Sequence, residues 1–401
     1  MESGELMEIR QFKPEECDKS LELSMYAFQY ELSPEQLESK RQHFKADQVW
    51  GAFEEDKLCA KLTILPFHIH LNNTLVTMGG IAGVATWPEE RRRGAVAKLL
   101  THSLHIMKEQ GQTISFLMPF SYPFYRKFGW ENCVDYKNYK LLTAQLPPKP
   151  IEISPGSIRR YHAASEQLIA ELQEVYSRYV SRYNGALARD EDWWMTTVFE
   201  RRNAHIAIFY GEDNKPVGYV NYRVTDRTLT VFEFIALDEN VKTELWRFLS
   251  NHDSMIDQLT ISAPIDDTLA YLLPDPRIGH EIVSSFMGRI VDVAGFLQQY
   301  PFTPHARELE LTLDIADAYA PWNNGTFRLS WSEDGVVTVA EGASSAEIAV
   351  SCSIQTLTSM FIGYKRPSEL HRIGRLQANR DIVALLEQIL PERTTYMPDF
   401  F

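Results

Sequence analysis

Cysteine is scarce in this chain. Four cysteines stand among 401 residues, at Cys17, Cys59, Cys133 and Cys352. No two form a CxxC pair and none lies at ligand spacing from histidines, so no disulfide framework and no metal site is expected. Long apolar runs are missing too. No stretch approaches the ~18 apolar residues of a membrane span. The first residues carry Glu2, Glu5 and Glu8 and no apolar core, which does not read as a signal peptide. A cytoplasmic protein with no membrane partner is expected. Positive charge is in deficit, with 40 lysines and arginines against 54 aspartates and glutamates and a net charge of −14. That balance argues against a nucleic-acid partner and suits a cationic substrate.

What remains is the composition of a globular protein, 44% hydrophobic and 23% charged. At this length two or three domains are expected. Three segments can be read, 1–148, 149–285 and 286–401. A proline-rich connector, Gln145 to Pro150, ends the first. Before it the pattern predicts helices at Glu15–Phe28 and Pro34–Lys45. Strands follow at Val49–Phe53, Leu58–His70 and Leu75–Trp87, then a helix after Gly94, a strand at Thr113–Met118 and a short helix through Phe124 to Phe128. The second segment repeats that order, with a long helix at Ala164–Tyr183, strands at His205–Tyr210, Val217–Val224 and Thr228–Leu237, a helix at Val241–Leu249 and a strand at Leu259–Ala263. The third starts near Met287–Val293. It continues with strands from Glu308, Gly325, Val336 and Ala346, followed by helices at Ser353–Gly363, Pro367–Ile373 and Ala378–Ile389. The fold class is α/β of the α+β kind, with two similar halves and a different C-terminal unit.

The most informative stretch is Arg91-Arg92-Arg93-Gly94-Ala95-Val96-Ala97. It stands between a strand and a helix in which Val96, Leu99, Leu100, Leu104 and Met107 recur at three- and four-residue spacing. A strand, a glycine turn and a helix start present free amides to an anion, and the helix dipole adds to the attraction. Arginines beside the turn suit a pyrophosphate; a solvated basic helix start is the plainer alternative. In the second segment the matching turn is Asp238-Glu239-Asn240, whose carboxylates would repel a phosphate. The second candidate stretch is Tyr125-Arg126-Lys127-Phe128-Gly129-Trp130. A phenol titrates near ~10 and stays protonated at neutral pH, able to donate a proton. Tyr125 could equally be a core residue among Tyr122, Phe124 and Phe128. The chain ends Asp399-Phe400-Phe401, an aromatic pair suited to burial, although fraying is the usual fate of a terminus.

Together these features resemble the general (GNAT) superfamily of N-acetyltransferases, whose cofactor motif is Q/R-x-x-G-x-G/A. More closely, the chain resembles the Eis (enhanced intracellular survival) family. The residues that carry the resemblance are Arg91–Ala97, Tyr125-x-x-x-Gly129-Trp130, Met287–Val293, Gln355-Thr356-Leu357 through Gly363, and the terminal aromatic residue. The resemblance implies two acetyltransferase domains, the second degenerate, followed by a sterol-carrier-like domain. It implies acetyl-CoA as co-substrate and a hexameric homo-oligomer. It implies small cationic amines, such as aminoglycosides, polyamines or lysine side chains, as acceptors. By the same resemblance Val84, Ala85 and Thr86 pair with pantetheine. Arg92, Arg93, Gly94, Ala95, Val96 and Ala97 hold the pyrophosphate, and Phe120 and Ser121 approach the cofactor. Tyr125 is the general acid and the carboxylate of Phe401 the general base. Val96 departs from the Gly or Ala of the motif. An α-carboxyl near ~3.5 is a weak base for an amine near ~10 unless burial narrows the gap. Tyr26, Phe28, Asp399 and Phe400 are candidate acceptor contacts, with Asp399 adding negative charge. His68 and His70 compete for the role of base. A lipid- or sterol-binding carrier on an acetyltransferase scaffold is the alternative function.

Overall fold

The computed structural model describes residues 7–148, 154–304, 309–332, 336–342 and 349–401. Glu2, Glu5, the Lys149-Pro150 end of the connector, Glu308 and the start of the strand from Ala346 lie outside the described residues.

The first unit opens with β1 (Glu8–Gln11), α1 (Cys17–Phe28), α2 (Pro34–Gln42) and β2 (Val49–Glu54). Next comes a long hairpin of β3 (Lys57–Leu71) and β4 (Thr74–Thr86), turned at Asn72 and Asn73, both with positive φ. Asparagine tolerates that conformation better than most side chains. α3 (Ala95–Glu109) follows. Its periodic stripe, Leu99, Leu100, Leu104 and Met107, is fully buried in one core with Leu62, Ile64 and Ile81. β5 (Ile114–Leu117), α4 (Tyr122–Lys127) and β6 (Glu131–Asn132) complete the run.

The second unit holds β7 (Asp135–Leu142), β8 (Ser157–Tyr161), α5 (Glu166–Val180) and α6 (Glu191–Trp193). α6 runs straight into a π-helical turn, Trp194–Arg201. β9 (His205–Tyr210), β10 (Pro216–Thr225), β11 (Thr228–Ala236), α7 (Glu239–Ser250), β12 (Gln258–Pro264), α8 (Leu269–Leu272) and β13 (Gly279–Ser284) follow. The last unit comprises β14 (Met287–Ile290), α9 (Val293–Gln299), β15 (Leu309–Ala316), β16 (Gly325–Trp331), β17 (Val337–Glu341) and β18 (Val350–Ser353). Helices α10 (Ile354–Phe361), α11 (Pro367–Arg372) and α12 (Arg380–Ile389) close it.

Three sheets result, ordered β1-β2-β3-β4-β5-β14-β6, β13-β7-β12-β11-β10-β9-β8 and β17-β16-β15-β18. Their membership departs from a division at residues 148 and 285. β7 precedes the connector yet belongs to the second sheet, and β14 follows Ser285 yet fills the first sheet between β5 and β6. The two crossings are held together where the Cys133 and Val134 amides both donate to the Phe286 carbonyl, at 3.0 and 3.3 Å. Each of the first two sheets is thus completed by a strand from beyond its own segment, and linear boundaries cut through them. The third unit is joined to the first as firmly. One buried cluster contains Ile69, Met78 and Phe116 beside Leu313, Leu357 and Phe361. Arg289 of β14, fully enclosed, pairs with Asp317 at 2.6 Å.

The two acetyltransferase-like units differ at the turn before their central helix. Gly94 precedes α3 with φ +85 and no side chain to cap it. Asp238 precedes α7, and its own carboxylate accepts from the Val241 amide at 2.9 Å. In the second unit the anion at the helix start is therefore built into the chain.

Lys61 of β3 carries an unusual burden. It is 4% exposed, and its ammonium donates to Ser20 at 2.7 Å and Ser24 at 2.6 Å, with no carboxylate partner among the described residues. Burial pushes its pKa down to about 8. The unfolded chain binds this proton up to the ordinary lysine range and the folded chain releases it near 8, so stability rises with pH between those limits. Relative to Lys61→Met, the parent is expected to gain stability by up to about 3 kcal/mol as pH rises from 8 to 10.5. Urea unfolding of both proteins at several pH values checks this. A stability difference that stays constant with pH would show that the lysine proton is not lost on folding.

Candidate active site

The site begins with a divergence in the first sheet. β4 and β5 run parallel and pair from Met78–Ile114 to Ile81–Leu117. β5 stops there, two residues before Pro119, while β4 continues to Thr86. On the other side β4 stays paired to β3, but with a bulge, since Thr63 faces Ala82 and Lys61 faces Ala85. Gly83 takes up the extra residue with φ +57. The stretch Gly83–Thr86 therefore presents backbone groups on its β5-side edge that no strand satisfies.

A groove of about 620 Å³ lies along that edge. Val84, Ala85 and Thr86 form one wall, and the turn with Arg91, Arg92 and Gly94–Ala97 forms the end. The first amide bonded inside α3 is that of Lys98, which donates to the Gly94 carbonyl at 3.0 Å. The amides of Ala95, Val96 and Ala97 are left directed out of the helix start. A Cβ at Gly94 would meet nothing within 4 Å. The glycine is required by its positive φ, and the space before it is open. This is a cradle of the right charge and shape for a pyrophosphate, with strand edge beyond it for an extended amide chain. Arg91 and Arg92 line it; Arg93 does not. The Arg93 guanidinium is turned into ion pairs with Glu54 (2.5 Å) and Glu90. The expectation that its side chain holds the phosphates is corrected accordingly.

Phe120 and Phe124 line the same groove, as does Phe28 from the end of α1. Tyr26 stacks on Trp87 with ring centroids 5.1 Å apart. Ser121 is the residue before α4, and its carbonyl accepts from the Tyr125 amide at 3.3 Å. Tyr125 is 2% exposed. Its ring meets Phe120 and Phe124 at 5.2 Å each and Trp130 at 6.5 Å. Burial raises its pKa far above the ordinary phenol value, so the hydroxyl keeps its proton. Among the described residues that hydroxyl has no hydrogen-bond partner, yet it is not one of the enclosed orphan polar atoms. Gly129 ends α4 at φ +93, and a side chain there would strike the guanidinium of Arg289.

The chain terminus reaches the same sheet. The Phe401 ring packs on Phe67 at 5.0 Å and Phe286 at 5.1 Å. A Cβ at Gly80 would come within 2.9 Å of it. Gly80 is the residue before the last β4–β5 pair, so the terminal residue lies at the point of divergence. His68 and His70 lie elsewhere. His68 faces Thr77 on β4, four residues or roughly 13 Å from Ile81 at the ordinary strand rise. The backbone of both histidines bonds to the loop 185–188.

The tail before Phe401 is fixed by buried charges. The Asp399 carboxylate meets Arg189 at 2.8 Å and Arg202 at 3.9 Å. It also accepts from Trp193 Nε1 at 2.9 Å and the Tyr176 hydroxyl at 3.3 Å. Glu233 of β11 pairs with the same two arginines; burial acts to raise its pKa, and the two guanidiniums overcome that and hold it below the ordinary carboxylate value. Asp399, expected to face an amine, has its charge fully engaged inside the protein. Phe400 is half exposed beneath Arg201. It lines a second cleft of about 590 Å³, together with Met118, Arg201, Arg202 and Arg223. Met118 and Phe120, two residues apart, face the second cleft and the first groove respectively. None of Arg189, Arg201, Arg202, Arg223 and Glu233 was legible in the sequence as a site residue. The π-helical turn that carries Arg201 was the available signal, because such turns gather at functional sites, but no sequence rule locates one.

Comparison with known proteins agrees with this geometry. The sequence family described as acetyltransferase (GNAT) domain matches residues 8–133, and a second of that description matches 185–290. The sterol carrier protein domain family matches 293–398. An uncharacterized N-acetyltransferase of Streptomyces griseus is 25% identical over 379 residues, covering 88% of each chain. A probable N-acyltransferase from Enterococcus faecalis superposes with a TM-score of 0.91 at 28% identity, over 99% of this chain and 100% of that one. Eis1 from Mycobacterium abscessus shares the fold, with a TM-score of 0.80 at 21% identity over 98% and 100%. The chain thus belongs to the GNAT superfamily of N-acetyltransferases, as two acetyltransferase domains followed by a sterol carrier domain.

Proposed function

We propose that this enzyme transfers the acetyl group of acetyl-CoA to a primary amine, at one site per chain, in the first domain. The observation that carries the reading is the divergence of β4 from β5 beside the uncapped start of α3. The amides of Ala95–Ala97 and the side chains of Arg91 and Arg92 would hold the pyrophosphate. The open edge of Val84–Thr86 would align the pantetheine amides. Bound acetyl-CoA supplies a thioester whose carbonyl carbon forms the new bond to nitrogen as its bond to sulfur breaks. Tyr125, kept protonated by burial, gives its phenol proton to the departing sulfur and regains one from solvent. The carboxylate of Phe401 takes the proton of the attacking amine, directly or through water. Aminoglycosides, polyamines and lysine share the primary amine, and that is the part of the implied acceptor class which these residues support. The third domain buries Leu313, Leu329, Leu357 and Phe361 in a core that it shares with the first domain, which supports a structural role for it over the carrier alternative.

Calorimetric titration should give one acetyl-CoA per chain, and Gly94→Glu should abolish binding by placing a carboxylate in the cradle, while the strain of a side chain at φ +85 lowers the melting temperature without unfolding the protein. Two bound per chain would sink the single-site reading. Tyr125→Phe should keep cofactor affinity and lower turnover by about 10²-fold or more, the scale of general acid catalysis. Unchanged turnover with chemistry rate-limiting would return Tyr125 to the core. Extending the chain beyond Phe401, or deleting Phe401, should also cut turnover without unfolding the protein, since either removes the carboxylate from the residue whose ring lies at Gly80. A tagged enzyme working at the parental rate would exclude the terminal carboxylate as base.

A further inference from the structure

The cleft on the far side of Met118 has a charge that the sequence totals do not suggest. Its acidic lining residue, Asp399, is enclosed and shared between Arg189 and Arg202. Glu233 faces the same two arginines. Two guanidiniums against two carboxylates balance, and this cluster contributes no net charge to the cleft. Two further arginines line it. Arg201 donates to the Phe400 carbonyl at 3.3 Å and stacks on that ring. Arg223 donates to the Arg202 carbonyl at 3.3 Å and lies over Phe232. Neither has a carboxylate partner among the described residues. Burial and the neighbouring Arg202 hold the Arg201 pKa below its ordinary value, as befits a cation with no counter-charge. Guanidinium stays charged under all such shifts. Counting the terminal carboxylate assigned as base, the two guanidiniums still leave the free charge of the cleft positive, although the whole chain carries −14.

The position of the cleft makes this charge relevant to the reaction. Its lining includes Met118, just past the end of β5, and Phe400, one residue from Phe401, whose ring lies at Gly80. The thioester groove ends at Phe120 on the other side of the same segment. An amine reaching the divergence from the side opposite the cofactor would pass Met118 and Phe400, which line this cleft. Thr197, Thr230 and Ser262 add neutral hydrogen-bonding groups to its wall.

We propose that the acceptor is a small amine that also carries an anionic group, a carboxylate or a phosphate, which Arg201 and Arg223 receive while the amine reaches the terminal carboxylate. A polycation such as an aminoglycoside would meet two unneutralised guanidiniums and be disfavoured. Arginine is suited to the task, because its planar fork binds either anion through paired hydrogen bonds. The proposal rests on the acetyl-transfer reading and refines its substrate.

Matched acceptors test it. 4-Aminobutanoate is compared with its neutral amide, and an amino-sugar phosphate with the unphosphorylated amino sugar, with kanamycin as the polycation. Acetylation is followed by CoA release, and binding is measured separately by calorimetry on CoA-saturated enzyme, where no transfer occurs. The anionic member of at least one pair should be preferred in both assays by about tenfold or more, the scale of one charge-assisted hydrogen bond. Which pair shows the larger preference tells carboxylate from phosphate. In the double variant Arg201→Gln, Arg223→Gln the preference should collapse toward one, through KM. The Lys variants at both positions should keep part of it and lose it with added salt. A neutral amine or kanamycin bound and acetylated as well as the anions, or a preference unmoved in the Gln variant, overturns the proposal. Anion-selective binding without transfer to any acceptor would keep the cleft assignment and overturn the acetyl-transfer reading instead.

Discussion

The arrangement of this enzyme depends on four charges buried where three parts of the chain meet. Arg189 comes from the loop before α6, Arg202 from just after the π-helical turn, Glu233 from β11 and Asp399 from the tail. Taking such charges out of water is costly, and an ion pair repays it only when each charge is also hydrogen-bonded. Here Tyr176, Trp193 and Tyr219 supply those bonds. The return for this arrangement is position more than stability. A C-terminal tail would ordinarily fray; this one is fixed two residues before its end. The last residue can then be delivered to Gly80, which has no side chain to obstruct the ring.

The same divergence of parallel strands occurs twice in the molecule and is used differently each time. In the first domain β4 separates from β5 beside a glycine turn, and the freed edge and amides face a groove. In the second, β11 and β12 pair only from Thr228–Gln258 to Val231–Ile261. The residues at that divergence line the second cleft with the tail, from Tyr396 to Phe400. The helix start that follows is capped by Asp238. One copy keeps its polar groups unsatisfied, which is what a ligand site requires. The other caps its helix start with its own Asp238 and lines a cleft with the tail.

The legibility of these features follows how local their causes are. α3 was readable because Val96, Leu99, Leu100, Leu104 and Met107 repeat at helical spacing, and the groove because Gly94 lies directly before that repeat. The contrast with Asp238 needed only neighbouring residues. By comparison, nothing local marks Asp135–Leu142 as a strand of the second sheet or Met287–Ile290 as one of the first; those are decided by which sheet edge is vacant after folding. Arg93 reads like Arg91 and Arg92, and only the fold brings Glu54, 39 residues away, to within reach of it. Asp399 read as a free charge for the same reason, since Arg189 and Glu233 are remote in sequence.

Net charge illustrates the limit of totals. The value of −14 is set by the whole surface, and it fits a cationic substrate only if the site shares the surface's sign. Within a cleft the sign follows from pairing. Each buried carboxylate near the tail is matched by an arginine, and the π-helical turn and β10 then add Arg201 and Arg223 with no acid paired to them among the described residues. A carboxylate exposed on the far side of the molecule is screened within about 8–10 Å of solution at physiological salt, whereas a guanidinium lining the cleft acts on its occupant at contact. The local pair therefore outweighs the global excess in selecting what enters. The fold is shared with proteins whose acceptors need not be the same, because the fold fixes where the thioester lies and the side chains of one cleft fix what meets it.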